Sequence, residues 1–312
     1  MGFGRRPSFA PSRTNRQSTI GHRLSLDAET KLVTLIGQPV AHSRSPLMHN
    51  TAFAAQGLNY AYAACAVAPD AVGDAAAGLR ALGVAGANVT IPHKQAVIPH
   101  LDTLTERAEA IGAVNTLFWD DPNRLAGDNT DAAGFRAPLA AHAEQLRGRE
   151  MLIFGAGGAA RAAGYALSAH FAPERLTLAA RTPSRAEALA ADLAPFDETG
   201  ALEVVPEDEA GPAVRSARLL VNATPLGMEP ETSGTPWPHA EDFSAEQIAY
   251  DLVYAPPRTR FLREAERQGA TPLGGLEMLL GQAAAGYRHW TGHSLPTEAV
   301  RRALEAHGSK NE

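Results

Sequence analysis

Residues 151–170, MLIFGAGGAARAAGYALSAH, constrain this chain more than any other stretch. A short apolar run ends at Gly155 and passes through Ala156, Gly157, Gly158, Ala159 and Ala160 into an alanine-rich helical pattern. The spacing is G-x-G-x-x-[GA], set between a strand and a helix. The first glycine permits the tight turn. The second lets a pyrophosphate approach backbone N–H groups at the helix N-terminus. A glycine turn alone says little, but this context commits the region to a doubly wound α/β unit that binds a dinucleotide.

Alternation of strand and helix continues on both sides of the motif and implies mostly parallel sheets covered on both faces. Upstream, strands are expected at 31–37, 59–67, 83–91 and 115–119. Helices are expected at 69–82, after Pro92, at 101–111, and from Thr130 through a bend near Pro138. Ser45 is expected to cap a helix with Pro46 at its first position. Downstream follow LTLAAR, LEVVP, SARLLVNAT and residues 247–254 as strands, with two amphipathic helices at the C-terminus. The architecture expected is two α/β domains with a cleft between them. Residues 29–133, joined by the helices of 275–312, are expected to form one domain, and residues 134–274 a Rossmann-type dinucleotide domain. Residues 1–28 carry arginines, serines and prolines without apolar periodicity and are read as a disordered basic tail. The same pattern also fits an organellar transit peptide.

The formal net charge of -6 and the absence of a basic stripe past the N-terminus argue against nucleic acid. No run of about 18 apolar residues suggests a membrane span. Cys65 is the one cysteine, so neither an intramolecular disulfide nor a cysteine-built metal site is available. It stands in an alternating strand pattern and is expected to be buried filler.

Three segments carry chemistry. In NVTIPHK, residues 88–94, a buried strand is stopped by Pro92, which has no N–H to donate, and Lys94 follows at once. Ligands bind at strand C-termini in such folds. An ammonium there can hand a proton to a developing alkoxide, although Lys94 could also simply open the next helix. In GDNTD, residues 127–131, Asn129 or Thr130 can cap a helix, and the carboxylate of Asp131 could hold a nearby lysine charged and oriented. The strand LTLAAR ends in Arg181, followed by Thr182, Pro183, Ser184 and Arg185. An NAD site usually has an acid at this strand end. Two cations and hydroxyls suit a 2′-phosphate instead, and cations at a helix start need an anion. The cofactor expected is NADP.

In their order, GQPVAHSRSPLMHN, GANVTIPHK, LTERAEAIGAVNT, GDNTDAAG, GAGGAARA, ARTPSR, NATPLGM, YDLVY and GLEMLLGQAA resemble the shikimate dehydrogenase family, over about residues 31–292. The resemblance implies reversible hydride transfer between NADPH and the C3 carbonyl of 3-dehydroshikimate, giving shikimate in aromatic amino-acid (chorismate) biosynthesis. It implies that Lys94 is the acid and base on the reacting oxygen and that Asp131 orients it. Ser43 and Ser45 would hold the substrate carboxylate. Thr90, Asn115, Tyr254 and Gln282 would bond its carboxylate and hydroxyls, and Asn88 would be structural or in contact with substrate. On the cofactor side the resemblance implies Gly155, Ala156, Gly157, Gly158 and Ala159 at the phosphates and Arg181, Thr182 and Arg185 at the adenosine phosphate. It places Leu252, Gly275 and Met278 at the nicotinamide and Glu106 nearby. Ala180 departs from the pattern, which often has Asn there. His42 and His49 look structural, and His93 could tune the lysine. No metal is implied. A cytoplasmic enzyme is expected, with a homodimer compatible. An NAD-using quinate/shikimate dehydrogenase, a ligand sensor without turnover and a folate dehydrogenase-like enzyme are the rival readings. Arg181 and Arg185 weigh against the first, the Lys94 and Asp131 pair against the second, and the Ser43/Ser45 loop against the third.

Overall fold

A computed structural model describes residues 26–197, 199–200 and 202–308. The expected basic tail lies outside these apart from residues 26–28. The first sheet is built from β1 (Lys31–Gly37), β2 (Tyr60–Ala66), β3 (Gly86–Val89), β4 (Thr103–Leu104), β5 (Thr116–Asp121) and β6 (Arg124–Asp128). Between them run α1 (Ser45–Gln56), α2 (Val72–Ala81), α3 (His93–Ala96) and α4 (Glu106–Ile111). Helices α5 (Thr130–Leu139) and α6 (Ala143–Leu146) lead out to the second sheet. That sheet contains β7 (Glu150–Phe154), β8 (Arg175–Ala180), β9 (Leu202–Pro206), β10 (Leu219–Asn222), β11 (Ile248–Asp251) and β12 (Thr271–Leu273). Helices α7 (Gly158–Phe171), α8 (Pro183–Leu193), α9 (Gly211–Ser216) and α10 (Arg260–Arg267) connect them, and α11 (Gly275–Thr291) and α12 (Thr297–Gly308) close the chain.

The second sheet is parallel throughout, in the order β12-β11-β10-β7-β8-β9. Its connections reverse direction between β7 and β10, which opens the ligand crevice of a doubly wound sheet beside the glycine turn. The first sheet, β2-β1-β3-β5-β6-β4, is mostly parallel as expected, with β5 alone reversed, antiparallel to both β3 and β6. The cause is local. An Asx turn, in which the Asn123 N–H donates to Asp121 Oδ1 at 2.9 Å, folds residues 116–128 into a hairpin.

Three local expectations need correction. Residues 101–111 are not one helix: Thr103 and Leu104 pair with β6 as a strand, and Thr105 caps the helix by accepting the Ala108 N–H at 3.3 Å. Ser45 does not cap α1 but is its first residue, and Ser43 Oγ accepts the Ser45 N–H at 3.2 Å. Cys65 is exposed, because β2 is an edge strand whose last four residues are uncovered on both faces. No helix of the described residues is long and apolar enough to cross a membrane.

Each sheet carries apolar cores on both faces. The chain crosses between the sheets in α5 and returns in α11. Tyr287, Trp290, Leu295, Val300 and Leu304 then pack with Val33, Leu35 and Phe53 of the first sheet and α1. The two crossing helices meet at glycines. A Cβ on Gly134 would stand 2.6 Å from Met278 O and 2.7 Å from Gln282 N, and one on Gly281 would stand 2.9 Å from the Gly134 Cα. Only hydrogen fits between these backbones.

Candidate active site

A cavity of about 450 Å³ opens where the C-terminal ends of the first sheet's strands face the start of α11. Lys94, Asp131, Ser43, Ser45, Asn88, Thr90, Asn115, Tyr254 and Gln282 all line it, together with Leu252, Gly275 and Met278. Residues from separate segments of both sheets therefore converge there.

Lys94 and Asp131 meet directly. β3 ends at Val89, Pro92 precedes α3, and Lys94 falls in the first turn of that short helix. Its carbonyl accepts the Val114 N–H at 2.7 Å, which ties the turn to the approach of β5. Asp131 follows the cap of α5, where Asn129 Oδ1 accepts the Ala132 N–H at 3.3 Å. Lys94 Nζ donates to Asp131 Oδ2 at 2.6 Å, with side chains 25% and 14% exposed. Asn115 Nδ2 donates to the other carboxylate oxygen, Oδ1, at 2.8 Å. The carboxylate is thus held from one side by an amide and offers its other oxygen to the ammonium. Asp131 is the one hydrogen-bond partner of that ammonium among the described residues, which leaves donors free for a ligand.

Behind this pair lies a network of neutral groups. Asn115 Oδ1 accepts from the Thr130 N–H at 2.7 Å, from the Thr130 hydroxyl at 3.0 Å and from the Thr116 hydroxyl at 3.1 Å. Asn88 donates to Asn115 O and to Thr116 Oγ1, and accepts from the buried Tyr62 hydroxyl at 2.7 Å. Both Asn88 donors are committed inside the protein, so its part in the cavity is to brace Asn115. Tyr62 is stacked on His49 at 4.7 Å. Burial pushes His49 down to about 3, so it is neutral packing, as its motif position suggested. His93 is buried and its Nε2 bonds the Val67 carbonyl at 2.8 Å, which fits an anchor of the turn better than a tuner of Lys94. His42, read as structural, instead lines the cavity mouth.

Ser43, Ser45, Thr90, Tyr254 and Gln282 are half-buried and supply hydroxyl and amide groups around the same space. The guanidinium of Arg44 lies over the Tyr254 ring at 5.7 Å, a cation–π contact from the first-sheet side to the second. Gly275 is required where it stands, since a Cβ there would meet Leu252 O at 2.4 Å. Just before Leu252, the fully buried Asp251 accepts from Thr259 Oγ1 at 2.5 Å, the Val253 N–H at 2.9 Å and Asn222 Nδ2 at 2.9 Å. Burial pushes its carboxyl up to about 6 against these hydrogen bonds.

A second cavity of about 290 Å³ lies over the crevice of the second sheet. Gly155, Ala156 and Gly157 line it, with Arg181, Thr182 and Arg185 opposite. Gly155 has φ 107° and a Cβ on it would approach Thr224 Cγ2 to 3.1 Å, so the turn needs glycine. A Cβ on Gly157 or Gly158 would meet nothing within 4 Å, so the space above the start of α7 is open. Gly157 is the N-cap of α7, followed by Gly158 and Ala159, so free N–H groups and the positive end of the helix dipole face this space. A cradle shaped by glycines and flanked by two arginines fits a phosphorylated dinucleotide.

Glu106 does not join either cavity. It lines a separate depression with Arg136, Tyr165 and His170, because Thr105 starts α4 on the far side of α5. The sequence reading missed Ala223, Thr224, Pro225 and Leu226 at the nucleotide cavity, although NATPLGM marked the segment. It also missed Glu207, which lines that cavity. The one available signal was its place directly after the strand LEVVP.

Known proteins resemble this chain over most of its length. The family described as the shikimate dehydrogenase substrate binding domain matches residues 35–117, and the shikimate 5'-dehydrogenase C-terminal domain matches residues 275–305. Shikimate dehydrogenase (NADP(+)) of Salinibacter ruber is 59% identical over 285 residues, covering 91% of this chain and 100% of the relative. A crystal structure of a shikimate dehydrogenase in complex with NADP+ superimposes with a TM-score of 0.84 at 37% identity, covering 91% of this chain and 97% of that one. The shikimate 5-dehydrogenase of Thermus thermophilus, in complex with NADP(H) and shikimate, gives 0.77 at 40% identity, covering 89% and 99%.

Proposed function

Because the chain belongs to the shikimate dehydrogenase family, we propose that it catalyses the reversible NADPH-dependent reduction of 3-dehydroshikimate to shikimate. The observation that carries the reading is the Lys94–Asp131 pair, 2.6 Å apart in a cavity otherwise lined by neutral donors and apolar side chains.

When bound, NADPH supplies the hydride. Reduction of a carbonyl leaves negative charge on its oxygen, and Lys94 meets that charge with a proton. Asp131 holds the Lys94 side chain in place, and Asn115 holds Asp131. In the reverse direction Lys94 takes the proton of the shikimate C3 hydroxyl. Ser43 and Ser45 bind the substrate carboxylate with hydroxyls. Thr90, Asn115, Tyr254 and Gln282 bond the carboxylate and ring hydroxyls, with Asn88 bracing them from behind. Leu252, Gly275 and Met278 form the wall at the nicotinamide end. Gly155, Ala156, Gly157, Gly158 and Ala159 cradle the pyrophosphate, and Arg181, Thr182 and Arg185 clamp the 2′-phosphate. Glu106 has no part in this assignment.

We take residues 29–133 with 275–312 as the substrate-binding unit and 134–274 as the NADP unit, a division supported by three cores that each stay within one unit, while a fourth, around α5 and α7, joins Ile111, Ala113, Ala132 and Met278 to the second sheet. A cytoplasmic homodimer completes the proposal, and sedimentation velocity would read its assembly.

The test is reduction of NADP by the purified protein with shikimate, with NAD and quinate as controls. Lys94→Ala should lower kcat by about 10²–10⁴-fold and leave NADP affinity nearly unchanged. Near-normal turnover in that variant would remove Lys94 from the chemistry.

A further inference from the structure

The nucleotide cavity contains a carboxylate on the same rim as its arginines. β8 and β9 pair in parallel with Ala180 opposite Pro206. The next residue on each strand, Arg181 and Glu207, therefore leaves a neighbouring strand end, and both line the cavity with Thr182 and Arg185. Glu207 opens a 3₁₀ turn, Glu207–Glu209, and is half-buried, whereas Arg181 and Arg185 are exposed. Partial burial holds the Glu207 carboxyl above the usual carboxylate range, and the charge and backbone N–H of Arg181 work against that rise. Among the described residues no ion pair closes between Glu207 and either arginine, so both guanidinium groups remain available to a ligand.

In dinucleotide sites of this topology, an acid at the end of the second strand accepts from the ribose 2′-OH, and a cation there accommodates a 2′-phosphate. This chain presents both signs in one cavity, the cations from β8 and α8 and the acid from β9. We propose that Glu207 is a specificity-determining residue of the cofactor site. It opposes the 2′-phosphate that Arg181 and Arg185 attract, and so holds the preference for NADP over NAD below what the two arginines alone would set.

This inference rests on the reading of the chain as an NADP enzyme. Its physical basis is like-charge repulsion between a carboxylate and a phosphate carrying nearly two negative charges. For groups about 8 Å apart on a cavity rim screened by water and salt to an effective dielectric near 60, removing one such charge shifts affinity by about tenfold. NAD has a hydroxyl in place of that phosphate, so the effect falls on NADP alone. A packing defect would move both cofactors together.

The experiment is titration of NADPH and NADH fluorescence with the wild-type enzyme and with Glu207→Gln, Glu207→Ala and Arg181→Ala, each checked for folding by thermal denaturation. Both Glu207 variants should tighten NADPH by about three- to tenfold and raise the ratio of the NADH to the NADPH dissociation constant by the same factor. Equal changes for the two cofactors, or weaker NADPH binding in either variant, would overturn the role of Glu207. A wild-type enzyme that does not prefer NADPH, or one whose preference survives Arg181→Ala, would overturn the NADP clamp itself. The same titrations therefore separate the two failures.

Discussion

Substitution of Gly134 by alanine tests how far catalysis depends on a contact that never touches substrate. The added Cβ would stand 2.6 Å from Met278 O and 2.7 Å from Gln282 N, against about 3.4 Å for ordinary contact. Both obstacles are backbone atoms of α11, so no side chain can rotate away. The helices must part by close to 0.8 Å. Overpacking of this kind costs about 1–3 kcal/mol, which in a chain of this length lowers Tm by roughly 2–10 °C. Asp131 lies one turn before Gly134, and Met278 and Gln282 flank the contact on α11. The parting therefore moves the carboxylate against the cofactor wall and the substrate amide together. A misplacement near 1 Å can cost on the order of 10²-fold, so kcat should fall by about 10- to 100-fold. The assay pairs steady-state kinetics with thermal denaturation, using Gly78→Ala as control. Gly78 lies in α2 and a Cβ there meets nothing within 4 Å. That control should gain about 0.5–1 kcal/mol from helix propensity. Wild-type kcat and Tm in Gly134→Ala would refute the argument, because the glycine contact would then constrain nothing.

Two further outcomes follow from the buried polar groups. The Asp251 carboxyl sits near 6 in the folded protein against an ordinary value of 3.8, so folding favours its protonated form. The stability this contributes is complete below about pH 4 and is lost as pH rises through 6, to the extent of about 3 kcal/mol. Asp251→Asn should remove that slope in urea denaturation between about pH 4.5 and 7, and an unchanged difference between those pH values would reject it. Tyr62→Phe leaves the Asn88 acceptor buried without a donor and should cost about 1–3 kcal/mol. Unaltered chemical denaturation would mean that the 2.7 Å bond contributes nothing.

Legibility from sequence tracked how local each signal is. The turn at Gly155 is written in contiguous residues, and so is the strand end that presents Lys94, because proline and glycine act on their own backbone. Strand β4, two residues long, carries no period to detect. Strand β6 contains Gly127 and Asp128, which disguise it as a continuation of the turn. Alternation in β2 announced a strand correctly but could not say that it lies at an edge, hence the misjudged Cys65. Glu207 was invisible for a different reason. Its meaning depends on the register of β8 against β9, which no single segment contains. Glu106 shows the converse, a residue placed by resemblance alone that the fold carries to another surface.

Helix α11 has a consequence for how this chain can vary. Its first residue packs against Leu252 O, just past the end of β11 in the second sheet, Met278 and Gln282 line the cavity, and Trp290 Nε1 bonds Leu117 O in the first sheet at 2.9 Å. One uninterrupted rod of 17 residues thus acts as a gauge between the wall assigned to the cofactor and the sheet assigned to substrate. Each residue added to or removed from it would change the span by about 1.5 Å and turn everything beyond by about 100°. Between residues 275 and 290 the count of residues is itself part of the active site, so insertions and deletions should be excluded there even where substitutions are tolerated.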